Sequence, residues 1–204
     1  MRRPPFFATL VVLIAVGAMI ALGFWQLHRR AWKETMLARF AAAEQIAAPL
    51  AVTGADLPPN AAYRHILWNC PETGADQVVG GRNADGRSGW AHVVPCIHGS
   101  GEVATMVPVV IGWSFAVAPV QWAGGQLAGV AVPGPKSGVV LPPTAAGPRK
   151  ADWHIIADPP LAGLVANARP DPRDIPNNHW SYAIQWFAFA ATALIIYLLA
   201  LRRR

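Results

Sequence analysis

Acidic residues are scarce in this chain. Eleven Asp and Glu stand against seventeen Lys and Arg in 204 residues, a formal net charge of +6. None of the eleven falls within the two longest apolar runs, residues 6–27 and 180–201. Proton pumping and ion-coupled transport need carboxylates at membrane depth, so their absence argues against both. Cysteine is limited to Cys70 and Cys96. They are not a C-x-x-C pair, which removes a thioredoxin-like redox centre. There is no G-x-S-x-G elbow, no H-E-x-x-H and no phosphate-binding Walker loop, so the common hydrolase and nucleotide signatures are missing. No internal repeat is present, nor a Lys/Arg stripe interleaved with aromatics of the kind that reads nucleic acid.

What the chain has instead is apolar length. Each of the two runs is long enough to span a hydrocarbon core of about 30 Å. Nine of the seventeen basic residues (Arg2, Arg3, Arg29, Arg30, Lys33, Arg39, Arg202, Arg203 and Arg204) lie close to their ends, where cations anchor spans at headgroups. The basicity therefore points to a lipid bilayer and not to nucleic acid. Arg2-Arg3 and the small residues Ala15-Val16-Gly17-Ala18 also fit a secretory signal. However, the run continues to Leu27 and closes on the interfacial pair Trp25-Gln26, so a retained anchor is expected. Two spans put both termini on one side, and the balance of flanking charge does not decide which side. Two cysteines in the middle segment are compatible with an oxidising compartment and one disulfide.

The expected fold class is an α+β membrane protein: two transmembrane helices flanking a β-rich antiparallel extracytoplasmic domain. Residues 1–5 precede the first span at 6–28. A membrane-proximal helix follows at 29–48, with Trp32, Met36, Phe40 and Ala43 on one stripe and Pro49 as its stop. The β-rich domain occupies 49–168, with candidate strands at 63–68, 77–81, 90–97, 103–115, 127–132 and 153–156. Asn83-Ala84-Asp85-Gly86 and Gly99-Ser100-Gly101 read as turns, and residues 133–148 as a Pro/Gly-rich loop. Asp158-Pro159-Pro160 reads as the start of a short helix with Leu161, Leu164 and Val165 on its buried face. A stiff linker at 169–178 leads to the second span, 179–201, and the terminal 202–204.

Histidines are the candidate chemistry. Cys96 and His98 share a strand face and, with His65 and Cys70, define a possible soft copper site; a disulfide, or two buried thiols, with surface histidines is the plainer alternative. His92 and His154 alternate with apolar neighbours and read as solvated strand-face residues. His28 lies with Gly17, Ala21 and Trp25 on one face of the first helix. His179, Ala183, Trp186 and Ala190 form a similar face on the second. A flat haem suits a slot between two such faces, with imidazole on the iron and Arg29 or Arg30 meeting the propionates. Ordinary helix packing with interfacial histidines accounts for the same residues, and physical chemistry alone leaves both readings standing.

Two stretches carry a family resemblance. Leu22-Gly23-Phe24-Trp25-Gln26-Leu27-His28-Arg29-Arg30-Ala31-Trp32-Lys33 closes the first span. Pro176-Asn177-Asn178-His179-Trp180-Ser181-Tyr182-Ala183-Ile184-Gln185-Trp186-Phe187 opens the second. Between them, Gly86-Arg87-Ser88-Gly89-Trp90, Val94-Pro95 and Gly112-Trp113 echo a central hairpin. With these pieces the chain resembles the surfeit-locus cytochrome c oxidase assembly proteins. It departs from them at Ile111-Gly112-Trp113, where the family usually has Arg-Gly-Trp. The resemblance implies a non-enzymatic assembly factor of the respiratory chain that binds haem a and aids its delivery. It implies partners in the oxidase's catalytic subunit and the haem a synthesis machinery, and an inner-membrane location. The middle domain would lie in the periplasm and both termini in the cytoplasm. By resemblance His179 is the haem-iron ligand. His28 as a second ligand, Trp25 and Trp186 as walls, and Arg29 or Arg30 as propionate partners come from the residues alone. The alternatives are a cofactor-free scaffold bound to the oxidase and a periplasmic copper carrier using Cys70, Cys96 and His98.

Overall fold

A computed structural model describes residues 5–100, 104–134 and 149–203. The chain divides into two compact units, one built from its two ends and the other from Arg39–Asp174.

The terminal unit is helical. Helix α1, Phe6–Glu44, is continuous, and the sequence supports that: no proline interrupts it, and Ala, Leu, Met, Lys and Glu are strong helix formers. It ends five residues before Pro49, the expected stop. The Gln45 and Ile46 N–H groups bond to the Ala42 and Ala43 carbonyls at 3.2 Å, a tightened final turn. Helix α2, His179–Arg202, follows Asn178, whose side chain makes no capping bond. Both helices are long and apolar enough to cross a membrane. They run antiparallel. Thr9 bonds to Tyr197 at one end, Phe24 meets Phe187 edge-on with ring centroids 5.4 Å apart, and the Lys33 ammonium donates to the Pro176 carbonyl at the other end.

The middle unit is a curled β-sheet. Its strands are β1 (Leu50–Ala51), β2 (His65–Cys70), β3 (Glu72–Thr73), β4 (Gln77–Arg82), β5 (Ser88–His98), β6 (Thr105–Ser114), β7 (Gly125–Pro133), β8 (Arg149–Lys150) and β9 (Trp153–Ala157). Their order is β1-β2-β7-β9-β6-β5-β3, with β4 also on β5 and β8 also on β6. The sheet is mixed, not antiparallel as expected. β9 inserts between β7 and β6, antiparallel to the first and parallel to the second, and β1 lies parallel to β2. Strand direction is set by which connection returns the chain to a free edge, and alternating apolar residues do not encode that.

The curl is fixed covalently. Cys70 on β2 and Cys96 on β5 form a disulfide with Cα atoms 5.5 Å apart, although three strands separate β2 from β5 in the sheet order. Inside the resulting half-barrel pack Ile66, Trp68, Val94, Val107, Val109, Ile111, Trp153 and Ile155. The Trp68 and Trp153 indole N–H groups donate to the Gly54 and Ala55 carbonyls, so one loop satisfies both. A smaller cluster of Ala91, Val93 and Val110, with Val79 and Ile156, covers part of the other face.

All six candidate strands are present, although Val103 itself lies outside the described residues. The Asn83–Gly86 turn is also present: Asn83 Oδ1 accepts the Asp85 and Arg87 N–H groups, and Gly86 adopts φ +77°. The helix expected after Asp158 is not. Ala162 and Gly163 both take positive φ, which ends any helical turn there. The Leu161 N–H bonds to Ile111, and Leu161 and Leu164 still pack on the core, while Val165 is exposed. Most of the Pro/Gly-rich loop, from 135 to 148, is outside the described residues.

Candidate functional site

The first turn of α2 presents His179. Its Nδ1 is 2.7 Å from the Gln26 side-chain oxygen on α1. A carbonyl oxygen only accepts, so in the neutral ring Nδ1 carries the hydrogen and Nε2 has the lone pair. Nε2 has no hydrogen-bond partner among the described residues. Two further contacts hold the same end of the helix pair: Arg30 lies over the Trp180 ring at 5.1 Å, and Lys33 reaches Pro176.

The α1 side of this seam runs through Val16, Gly23, Gln26, Arg30 and Lys33, at three-, four- and seven-residue steps. Gly23 is buried under Phe187: a methyl group at Gly23 would come 2.5 Å from that ring. On α2, Ala183 and Ala190 are buried and His179 and Trp186 half-buried, so the expected α2 face does meet α1. The expected α1 face does not meet α2. Gly17, Ala21, Trp25 and His28 are all exposed. His28 follows Gln26 by two residues, about 200° around a helix of 3.6 residues per turn, and so points away from His179. Its Nδ1 bonds instead to the Phe24 carbonyl one turn back, at 3.1 Å. The structure thus brings His179 together with Gln26 and does not bring it together with His28. The expected slot between the two faces is therefore not formed, and where the helices do meet, at Gly23, Phe187 fills the space.

The cations differ in availability. Arg30 pairs with Glu34 at 2.7 Å, whereas Arg29 lies over Trp32 at 4.1 Å with no carboxylate partner among the described residues. Trp186 packs edge-on to Phe189 with centroids 6.2 Å apart.

The SURF1 family model matches residues 13–191, which takes in most of α1, the whole sheet and the first half of α2. The chain belongs to the SURF1 family. That is the surfeit-locus cytochrome c oxidase assembly family, whose members are assembly factors and not enzymes. No curated protein matches the chain significantly.

In this SURF1 chain the soft-metal alternative loses its ligands. Both cysteines are in the disulfide, so no thiolate remains. His98 packs against Trp68, ring centroids 4.6 Å apart. Burial pushes its imidazole pKa down, partly offset by a hydrogen bond to the Asn69 backbone.

His92 and His154 are corrections: both are buried, not solvated. His92 is fully enclosed, with Nδ1 2.7 Å from Asp76 Oδ2 and Nε2 2.9 Å from Ser114 Oγ. A β-bulge between His92 and Val93 makes this possible. Across it the register passes from His92–Gly112 to Val93–Val110, and the extra residue, Ile111, turns Ser114 onto the face of His92. The order carboxylate, imidazole, hydroxyl has the form of a nucleophilic relay. However, Ser114 Oγ donates to the Ala116 carbonyl at 2.6 Å and accepts the Ala116 N–H at 3.1 Å, so its hydrogen is not offered to His92. Asp76 Oδ2 also accepts the Val120 N–H at 2.9 Å. The network pins the segment after β6 to the entrance of β4. His154 Nδ1 bonds to the Gly134 carbonyl at 2.9 Å.

A cleft of about 300 Å³ in the middle unit is lined by Glu44, Tyr63, His65, Arg169, Asp171 and Arg173. Burial and Asp171 raise the Glu44 carboxyl pKa, and the Arg173 hydrogen bonds lower that of Asp171. Two carboxylates, two guanidiniums and one imidazole line it, so neither sign of charge dominates.

Proposed function

We propose that this SURF1 protein takes haem a as cargo during assembly of cytochrome c oxidase, with His179 as its iron ligand. The observation that carries the reading is His179 itself: one ring nitrogen is held, the other has no partner among the described residues, and the residue starts an apolar helix whose one charged residue, Arg202, is at its far end. Neutral imidazole with its second nitrogen hydrogen-bonded is a common haem-iron donor. The donor therefore fits the group, and Arg29 is the cation free to meet a propionate. The haem would supply the iron centre destined for the oxidase. What this chain supplies is a nitrogen ligand, apolar aromatic surface at Trp186 on the same face of α2, and a counter-charge. His28, on the opposite side of α1, is not a second ligand for the same iron in this reading.

The reading places both helices in the inner membrane and the half-barrel in the periplasm, where a disulfide persists. Its partners are the oxidase's catalytic subunit and the haem a synthesis machinery. A cofactor-free scaffold is the second reading, and the filled seam at Gly23 and Phe187 favours it. One experiment separates the two. Protein purified from cells that make haem a is expected to show a Soret band that His179→Ala loses. A colourless wild type that still co-purifies with the oxidase would support the scaffold. An undiminished band in His179→Ala would remove His179 as the ligand.

A further inference from the structure

We propose that Gln26 is the positioning residue for His179: its side-chain oxygen selects the tautomer in which Nε2 is the ligating nitrogen. The inference rests on the haem reading for its purpose, but the tautomer belongs to the free protein.

A neutral imidazole has one N–H and one lone pair, and they exchange places unless a neighbour chooses between them. At a helix start, His179 has no such neighbour on its own helix: Asn178 makes no side-chain capping bond, and no other partner of the ring is present among the described residues. The choice is made across the seam by Gln26, 153 residues away in sequence. Gln26 is itself placed by the seam. It lies one turn from Gly23, which sits under Phe187, and one turn from Arg30, which covers Trp180, the residue after His179. The packing of the helix pair is thereby converted into the orientation of one ring. An outer partner of this kind fixes the direction of the donor and raises its basicity, and its loss typically costs 10- to 100-fold in affinity for the bound metal group. Glutamine suits the position. Its oxygen accepts as a carboxylate would, without bringing a charge to the edge of an apolar helix.

The first test needs no haem. In full-length protein with ¹⁵N-labelled histidine, held in detergent micelles, His179 is expected to show its hydrogen on Nδ1. Gln26→Leu, of similar size, is expected to lose that preference, and Gln26→Glu to keep it. A hydrogen on Nε2 in the wild type, or an unchanged tautomer in Gln26→Leu, would overturn the proposal. The second test uses the haem-loaded protein. Gln26→Leu is expected to bind haem about 10- to 100-fold more weakly. Its iron midpoint potential is expected to move up, and that of Gln26→Glu down, as the imidazole becomes a poorer or better donor. Equal potentials in all three would refute the role of Gln26 while leaving His179 as ligand. Haem retention in His179→Ala would refute the haem reading and leave the tautomer result to stand by itself.

Discussion

At the scale of one residue, His98 links burial to pH. Its folded pKa lies below the ordinary 6.5 because burial beside Trp68 disfavours the charged ring. The unfolded chain then binds a proton at pH values where the folded one does not. The contribution of His98 is complete above about pH 6.5, declines as pH falls below it, and levels off below the folded pKa. Urea midpoints are expected to fall between about pH 8 and about pH 5, and His98→Phe is expected to flatten that dependence. An equally steep curve in the variant would place the effect elsewhere. The histidines also mark what a sequence reveals at this scale. The start of α2 at His179 was legible because a polar, proline-containing stretch gives way there to an uninterrupted apolar run. His92 was misread because both parities of β5 are apolar: Val94 and Cys96 face one way, Ala91 and Val93 the other. No alternation distinguished core from solvent there, and its partners Asp76 and Ser114 are 16 and 22 residues away.

At the scale of elements, Gly23 decides how α1 and α2 meet. Gly23→Val would drive a branched side chain into the Phe187 ring and is expected to cost about 1–3 kcal/mol as an overpacked contact. Phe187→Ala should relieve much of that loss, so thermal unfolding of the single and double variants in detergent should be non-additive. Additive losses would mean that the two residues do not share the seam. The sequence-based choice of Gly17, Ala21, Trp25 and His28 found the correct helix and the wrong face. Small residues recur on more than one side of α1, and only the partner helix selects among them. The strands were easier, because turn residues such as Asn83 and Gly86 bracket them with a local mechanism. The false helix at Asp158 had a sound start signal; positive φ at Ala162 and Gly163 overrode it.

At the scale of the molecule, the disulfide closes a chain segment 26 residues apart in sequence and ties strands that are not neighbours in the sheet. Chain-entropy reasoning gives it about 3.5 kcal/mol, so Cys70→Ala/Cys96→Ala should lower the urea midpoint of the full-length protein markedly. No change would mean that core packing alone sets the curl. The place of β9 has a different consequence, one of timing. β6 and β7 are adjacent hairpin candidates in sequence, yet the strand that joins them in the sheet is the last one made. As the chain emerges from the ribosome, the inner edges of β6 and β7 stand unpaired until Trp153–Ala157 arrives, and both carry fully buried apolar side chains in the finished sheet. A chain cut short before residue 153 would therefore keep two sticky edges facing each other across an empty lane. Its fate would be set by proteases and by aggregation.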